Sequence, residues 1–189
     1  MMSVALMWGP RPAAEALQIF EASVETEPHL GQRLDRAIFL AMGDRIEEAR
    51  ALAQAAEHQL REFGGERMAD IHVADLERIA GDHRVEAQRL RMFCDDARKR
   101  DVRAALSTYA SMLGRALCAA GEFNEVEGLA AEGREYGDED DPITQALWRQ
   151  ATALVQSHRG NHAEAERLCR EAVVRTRWRP RHQPSSATP

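Results

Sequence analysis

The feature that most constrains this chain is a spacing of mostly small residues that recurs four times. Ala153, Ala165 and Ala172 stand 12 and then 7 positions apart. The same intervals separate three other sets, which are Ala37, Ala49 and Ala56; Asp75, Ala87 and Cys94; and Gly114, Val126 and Gly133. The first members of the four sets lie 38, 39 and 39 residues apart. A fixed period of this size indicates an array of helical repeats.

Glycines between the sets give a second marker with the same period. Gly43, Gly81, Gly121 and Gly160 are 38, 40 and 39 residues apart. Glycine adopts the left-handed backbone conformation that commonly ends a helix. Each repeat is therefore predicted to be two helices joined by a short turn.

The segments around these markers show apolar residues at helical spacing, and no segment alternates with the period of two that marks a half-buried strand. Asp141 and Asp101 are predicted to cap helices, and Pro142 suits a first helical position. We therefore predict an all-α fold, an α-solenoid of antiparallel helix pairs. The predicted units are a flexible leader at 1–11, an orphan helix at 12–25, pairs at 31–63, 66–98, 101–136 and 142–177, and a disordered basic tail at 178–189.

The segments Ser111-Met112-Leu113-Gly114 and Gly121–Val126 resemble the motif of tetratricopeptide repeats. The period of about 39 residues is longer than the ~34 of that family. In this and in the wording of Gly121–Val174, the chain resembles the helical-repeat region of large bacterial regulators, which join a P-loop ATPase to a nucleotide cyclase or a DNA-binding domain. The resemblance covers 14–177. It implies a non-catalytic protein-interaction scaffold in bacterial signalling or transcription regulation. The alternative is a stand-alone or truncated regulatory segment of a multidomain ATPase or cyclase regulator.

Composition narrows the classes of partner and compartment. The 189 residues carry a net charge of −6 and are 44% hydrophobic, which is typical of a chain that buries a core in water. The negative charge argues against nucleic-acid binding, because that binding depends on neutralising phosphates. Three scattered cysteines on predicted helices favour a reducing compartment. The absence of a basic signal-peptide start and of a long apolar run predicts a cytoplasmic protein without a membrane partner.

No constellation in the sequence indicates catalysis, a cofactor or a metal site. His158 and His162 have the spacing of two metal ligands on one helix face, but Gly160 between them ends the helix. The chain lacks a phosphate-cradling G-x-x-x-x-G-K-[ST] loop and a G-x-S-x-G nucleophile elbow. We therefore expect a protein that is not an enzyme and that binds neither cofactor nor metal.

The candidate binding surface is the concave groove that first helices of such arrays commonly line. Polar residues lying away from the leucine stripe on two first helices are its candidates: Thr108, Ser111, Arg115, Arg149 and Gln150. The expected partner is a protein or peptide.

Two further expectations concern packing. Gly114 and Gly133 should lie where the helices of one pair meet closely, whereas Gly128 should not. The apolar residues of the first and last helices, which lack a covering repeat, predict an exposed apolar end and self-association through it.

Overall fold

The computed structural model describes residues 6, 11–24 and 28–176 and places them in helices, turns and bends without a strand. The predicted leader, apart from Leu6 and Arg11, and the predicted tail lie outside these residues. The helices are α1 (Ala13–Ser23), α2 (Leu30–Met42), α3 (Ile46–Glu62), α4 (Glu66–Ala80), α5 (His83–Lys99), α6 (Arg103–Ala119), α7 (Val126–Tyr136), α8 (Pro142–His158) and α9 (His162–Thr176). The prediction of an all-α chain is confirmed for this part of the protein.

Six of the turns between helices share one backbone design. Each has one residue in the left-handed conformation, with φ between 52° and 84°: Asp44, Gly64, Gly81, Asp101, Gly121 and Gly160. The residue that follows donates its amide to the carbonyl five positions before it, at 2.8–2.9 Å. This hydrogen bond satisfies a carbonyl that the helix end would otherwise leave unpaired.

Two of these turns correct the sequence analysis. In the first one Gly43 has an ordinary φ of −90°, and the left-handed residue is Asp44. Asp101 was predicted to cap α6, but it takes the left-handed position of its own turn, and its carboxylate binds Arg103 instead. Aspartate can occupy both positions because its short polar side chain tolerates this conformation better than most.

The helices pack on their neighbours in the chain, and the first helices of some pairs also lie side by side. The backbones of α2 and α4 run close together, as do those of α6 and α8. In contrast, α4 and α6 approach each other much less closely along their backbones. A depression therefore lies between the second and third pairs, with α5 at its base.

The residues of the repeated spacing are buried as predicted, with one exception. Ten of the twelve are small or aliphatic residues at 8% exposure or less, namely Ala37, Ala49, Ala56, Ala87, Cys94, Val126, Ala153, Ala165 and Ala172, together with the buried Gly133. Gly114 is also buried, and its position would bring a Cβ atom to 3.2 Å from Val126 Cγ1. Asp75 is the exception, since its side chain stays 23% exposed and binds Arg78.

The closest helix contact is made by Gly133 of α7. A Cβ atom there would lie 2.2 Å from Ser111 Oγ and 3.1 Å from the Ser107 carbonyl oxygen of α6. By comparison, a Cβ atom at Gly128 would meet nothing within 4 Å. The predicted difference between Gly128 and the two glycines of the repeat is confirmed.

Arginine–glutamate pairs join the second helices of successive pairs. Arg89 of α5 binds Glu57 of α3, with Nη2 3.1 Å from Oε2. Arg98 of α5 binds Glu132 of α7, with Nε 3.0 Å from Oε1. Arg91 binds Glu125, just before α7, at 2.8 Å between Nη1 and Oε2. These bonds fix the register of α5 against the helices on both sides of it.

The two ends of the described chain differ in how they cover apolar side chains. At the start, Phe20 of α1 packs on Phe39 of α2 with ring centroids 5.1 Å apart, and both are buried. At the other end, Val173 and Val174 of α9 are each 55% exposed. None of the described helices combines the length and apolarity needed to cross a bilayer.

Candidate functional site

The five predicted groove residues do not form one surface. Thr108 is half-buried, and its hydroxyl lies 3.1 Å from that of Thr144 on α8. Gln150 is half-buried on α8. Arg115 is the member of the set that lines an open pocket.

Ser111 and Arg149 were predicted to belong to an exposed polar face, and this prediction is wrong. Ser111 is fully buried because it lies against Gly133, in the contact described above. Arg149 is buried because its guanidinium stacks 4.0 Å from the Trp148 ring centre and binds Glu171 of α9 at 3.2 Å. Both residues hold helices together.

The pocket around Arg115 has a volume of about 440 Å³ and lies over the depression between α4 and α6. Residues of α4, α5, α6 and α8 and of the turn after α6 contribute to its wall. The lining residues are Arg78, His83, Glu86, Arg115, Ala116, Cys118, Ala119, Phe123, Leu154, Ser157 and His158. The pocket therefore combines several charged groups with an apolar wall.

Arg115 is the unusual group of this pocket. Its side chain is half-buried, yet it makes no hydrogen bond or ion pair within the described part of the chain. Burial lowers the pKa of Arg115 below its ordinary value, and the nearby Arg78 charge lowers it further. Both effects mean that the folded chain holds this cation without compensation, which is unfavourable in a partly dehydrated site.

The carboxylate in the same pocket, Glu86, has other partners. It accepts a hydrogen bond from His83 Nδ1 at 2.8 Å. Burial raises the pKa of Glu86, while His83, Arg78 and Arg115 act in the opposite direction. Glu86 therefore offsets part of the positive charge but makes no direct bond to the Arg115 guanidinium.

Aromatic and aliphatic side chains form the opposite wall. The Phe123 ring stacks on the His158 ring with centroids 3.7 Å apart and an angle of 4° between the planes. Leu154 projects beside them with 43% of its surface exposed. An apolar group of a ligand could therefore bury surface against Leu154 while a polar group reaches Arg115.

A second charged cluster, by contrast, is internally complete. Arg89 bonds to Glu57 and, at 3.1 Å, to Asp70 of α4, and Arg61 also binds Glu57. Burial favours the neutral form of Glu57, but its bonds to Arg89 and Arg61 lower its pKa overall. The cluster links α3, α4 and α5 and leaves no cation without a carboxylate.

The sequence analysis missed the neighbours of Arg115, although a signal for its importance was present. In each repeat the residue after the first marker position is Ile38, Leu76, Arg115 or Leu154. The first two are buried aliphatic residues at 4% and 1% exposure. A charge at a position that is otherwise aliphatic marks Arg115 as a departure from the repeat.

Neither a metal site nor a relative is indicated. Within the described ranges, no three His, Cys, Asp or Glu side chains are grouped so that they could hold a metal ion. A scan against protein-family models found no match, and neither the curated proteins nor the solved structures yielded a similar chain.

Proposed function

We propose that this protein is a non-catalytic protein-interaction scaffold in which tetratricopeptide-like helix pairs form an α-solenoid with a period of about 39 residues. The repeated turn geometry and the buried small residues support this architecture. The Arg–Glu pairs between second helices also support it, because Arg91–Glu125 and Arg98–Glu132 have the same separation of 34 residues. Repeats that bind their neighbours in the same way stack in one direction.

The observation that carries the proposed function is the open pocket around Arg115. It combines an uncompensated cation with an exposed apolar side chain, Leu154, on helices that are otherwise well packed. Exposed apolar surface next to a polar anchor is typical of an interaction site. A protein or peptide partner could use both features at once.

The environment of the reactive groups favours binding over catalysis. Burial raises the pKa of Cys118, which lines the pocket, to about 11, and that of Cys94 to about 12. Both side chains are therefore protonated thiols near neutral pH and poor nucleophiles. The carboxylates Glu57, Asp70 and Glu77 bind arginines and support the fold.

The biological setting that we propose, bacterial signalling or transcription regulation inside the cell, rests on the resemblance of Gly121–Val174 to the repeat regions of large regulators. In that setting the protein would position a partner without changing it chemically.

A photo-cross-linking experiment tests the function. p-Benzoylphenylalanine is placed at Ala119, an exposed residue of the pocket wall, and separately at Ala163, an exposed residue of α9 outside it. We expect a defined protein adduct in native extract from position 119 and not from position 163. Identical adducts from both positions, or none from position 119, would contradict the proposal.

Self-association is a separate proposal that rests on the exposed end of α9. Val173 and Val174 are each 55% exposed. Light scattering should show a mass that increases with protein concentration, and Val174→Asp should reduce this increase. A mass that stays monomeric at every concentration would exclude it.

A further inference from the structure

We propose that the Arg115 pocket recognises a carboxylate group that is flanked by an apolar group, presented by an acidic segment of the partner protein. This inference rests on the proposed function and adds the chemistry of the partner. It follows from three properties of the pocket, which are the geometry of its unpaired cation, its total charge and its apolar wall.

The guanidinium of Arg115 lacks a partner that its environment calls for. Other half-buried arginines of the chain are paired: Arg89 binds two carboxylates, and Arg50 binds Glu77 with Nε 3.0 Å from Oε1. A guanidinium presents a planar set of N–H donors that matches the two oxygens of a carboxylate. A carboxylate in the pocket would give Arg115 the arrangement that those arginines already have.

The total charge of the pocket favours an anion with a single charge. Arg78 and Arg115 are positive, Glu86 is negative, and the histidines contribute no fixed charge. One net positive charge matches a carboxylate. A phosphate group that carries close to two negative charges would meet stronger repulsion from Glu86, because the site has too few cations to offset it.

The apolar wall determines what lies next to the carboxylate. Leu154, Ala119 and Phe123 line the pocket beside Arg115. Leu154 is 43% exposed, so an aliphatic side chain of the partner would remove part of its surface from water. The expected ligand is therefore an apolar residue adjacent to a carboxylate, which could be an acidic side chain or a free chain end.

The test uses N-acetyl-leucine as the probe, because it carries one carboxylate and one aliphatic side chain. Side-chain Nε–Hε resonances of ¹⁵N-arginine-labelled protein and methyl resonances of leucine are followed during titration. We expect saturable shifts of the Arg115 and Leu154 signals, with a dissociation constant on the order of 1–10 mM for so small a ligand. N-acetylleucinamide, which lacks the charge, should bind at least about tenfold more weakly.

A matched pair of variants assigns the binding to Arg115. Arg115→Gln should weaken N-acetyl-leucine binding by about tenfold or more, since a charge-assisted pair is lost. Arg170→Gln, which removes an exposed arginine of α9, should leave binding unchanged. The Leu154 shifts in the unmodified protein provide a readout that does not depend on how either variant folds.

Several results would overturn the inference. These are equal binding of N-acetyl-leucine and its amide, tighter binding of inorganic phosphate than of N-acetyl-leucine, and the absence of shifts at Arg115 and Leu154. If one of them occurs while the cross-link from Ala119 persists, the scaffold function stands and the carboxylate assignment is wrong. If N-acetyl-leucine binds at Arg115 and the cross-link is absent, the pocket binds carboxylates but the protein-interaction function is wrong.

Discussion

The helices α2–α5 and the helices α6–α9 are held together in different ways. In the first group, charged side chains cross the helix contacts: Arg89 connects Glu57 of α3 with Asp70 of α4, and Arg50 binds Glu77. In the second group, small residues allow direct backbone approach, as where Gly133 meets Ser111 and Ser107. The same repeat is thus stabilised by ion pairs in one half and by close packing in the other.

Arg115 lies where the two halves meet and follows neither pattern. It has no carboxylate partner like that of Arg89, and it occupies a position that is aliphatic in the other repeats. The difference teaches that a half-buried arginine can be either part of the fold or held for a partner. Its bonded neighbours distinguish the two cases.

The largest effect is expected from Arg89→Met. The substitution leaves Asp70 buried without its arginine and takes one of two arginines from Glu57, which should lower the free energy of unfolding by roughly 3 kcal/mol. Arg91→Met is the matched control, because the Arg91–Glu125 pair is exposed and should contribute less than about 1 kcal/mol. Urea unfolding of both variants measures the difference. Equal losses would show that the buried cluster has no special role in the first half.

The contact at Gly133 tests the second half. Gly133→Ala places a methyl group 2.2 Å from the Ser111 Oγ position, so α6 and α7 must separate, at an expected cost of about 1–3 kcal/mol. Gly128→Ala, in the same helix but in open space, should stabilise the chain by about 0.5–1 kcal/mol through better helix propensity. Thermal melts should also show partial recovery when Ser111→Ala is added to Gly133→Ala. A greater loss from Gly128→Ala would contradict the described contact.

A pH dependence should come from the first half, where His72 of α4 lies 3.4 Å from Asp35 of α2. Burial opposes the charged form of His72, but the Asp35 and Met68 contacts and the acidic neighbours together raise its pKa above 6.5. A raised folded-state pKa stabilises the protein below the unfolded value of 6.5, and this contribution disappears as pH rises through the folded-state pKa.

The variant His72→Gln checks the sign of this effect. The native protein should exceed the variant in free energy of unfolding by up to about 1 kcal/mol more at pH ~5 than at pH ~8. Unfolding curves across this range measure the difference. An advantage that is constant, or that grows with pH, would show that His72 does not stabilise the α2–α4 contact as a cation.

The sequence predicted features that depend on local spacing. The period of 39 correctly located the glycine contact and the left-handed residues Gly81, Gly121 and Gly160, because each depends on a residue without a side chain at a fixed interval. Asp44 and Asp101 were missed, since aspartate also suits helix caps and both uses favour the same residue. The ambiguity is resolved only by the hydrogen bonds of each turn.

The candidate site was predicted only in part. Ser111 was assigned to a surface from its polarity, but a serine is small enough to be buried against a glycine, where its Oγ makes no hydrogen bond with any described residue. Arg149 was assigned in the same way, although Trp148 and Glu171 enclose it. The isolation of Arg115 depends on the distance between α4 and α6, which sequence spacing does not encode.

The smallest expected effect is also the most specific. Arg115→Leu restores the aliphatic residue that other repeats have at this position and removes an uncompensated cation. We expect it to raise the free energy of unfolding by about 0.5–1 kcal/mol, as restoration of a repeat consensus commonly does. Arg170→Leu, which changes an exposed arginine of α9, is the control for the general effect of replacing arginine by leucine.

The direct test of this account is the sign of the change at the two half-buried arginines, measured by thermal and urea unfolding under the same conditions. If Arg115 is held for a partner while Arg89 supports the fold, Arg115→Leu raises the melting temperature and Arg89→Met lowers it. A loss of stability in both variants would show that Arg115 has a structural role like that of Arg89, and would contradict the account.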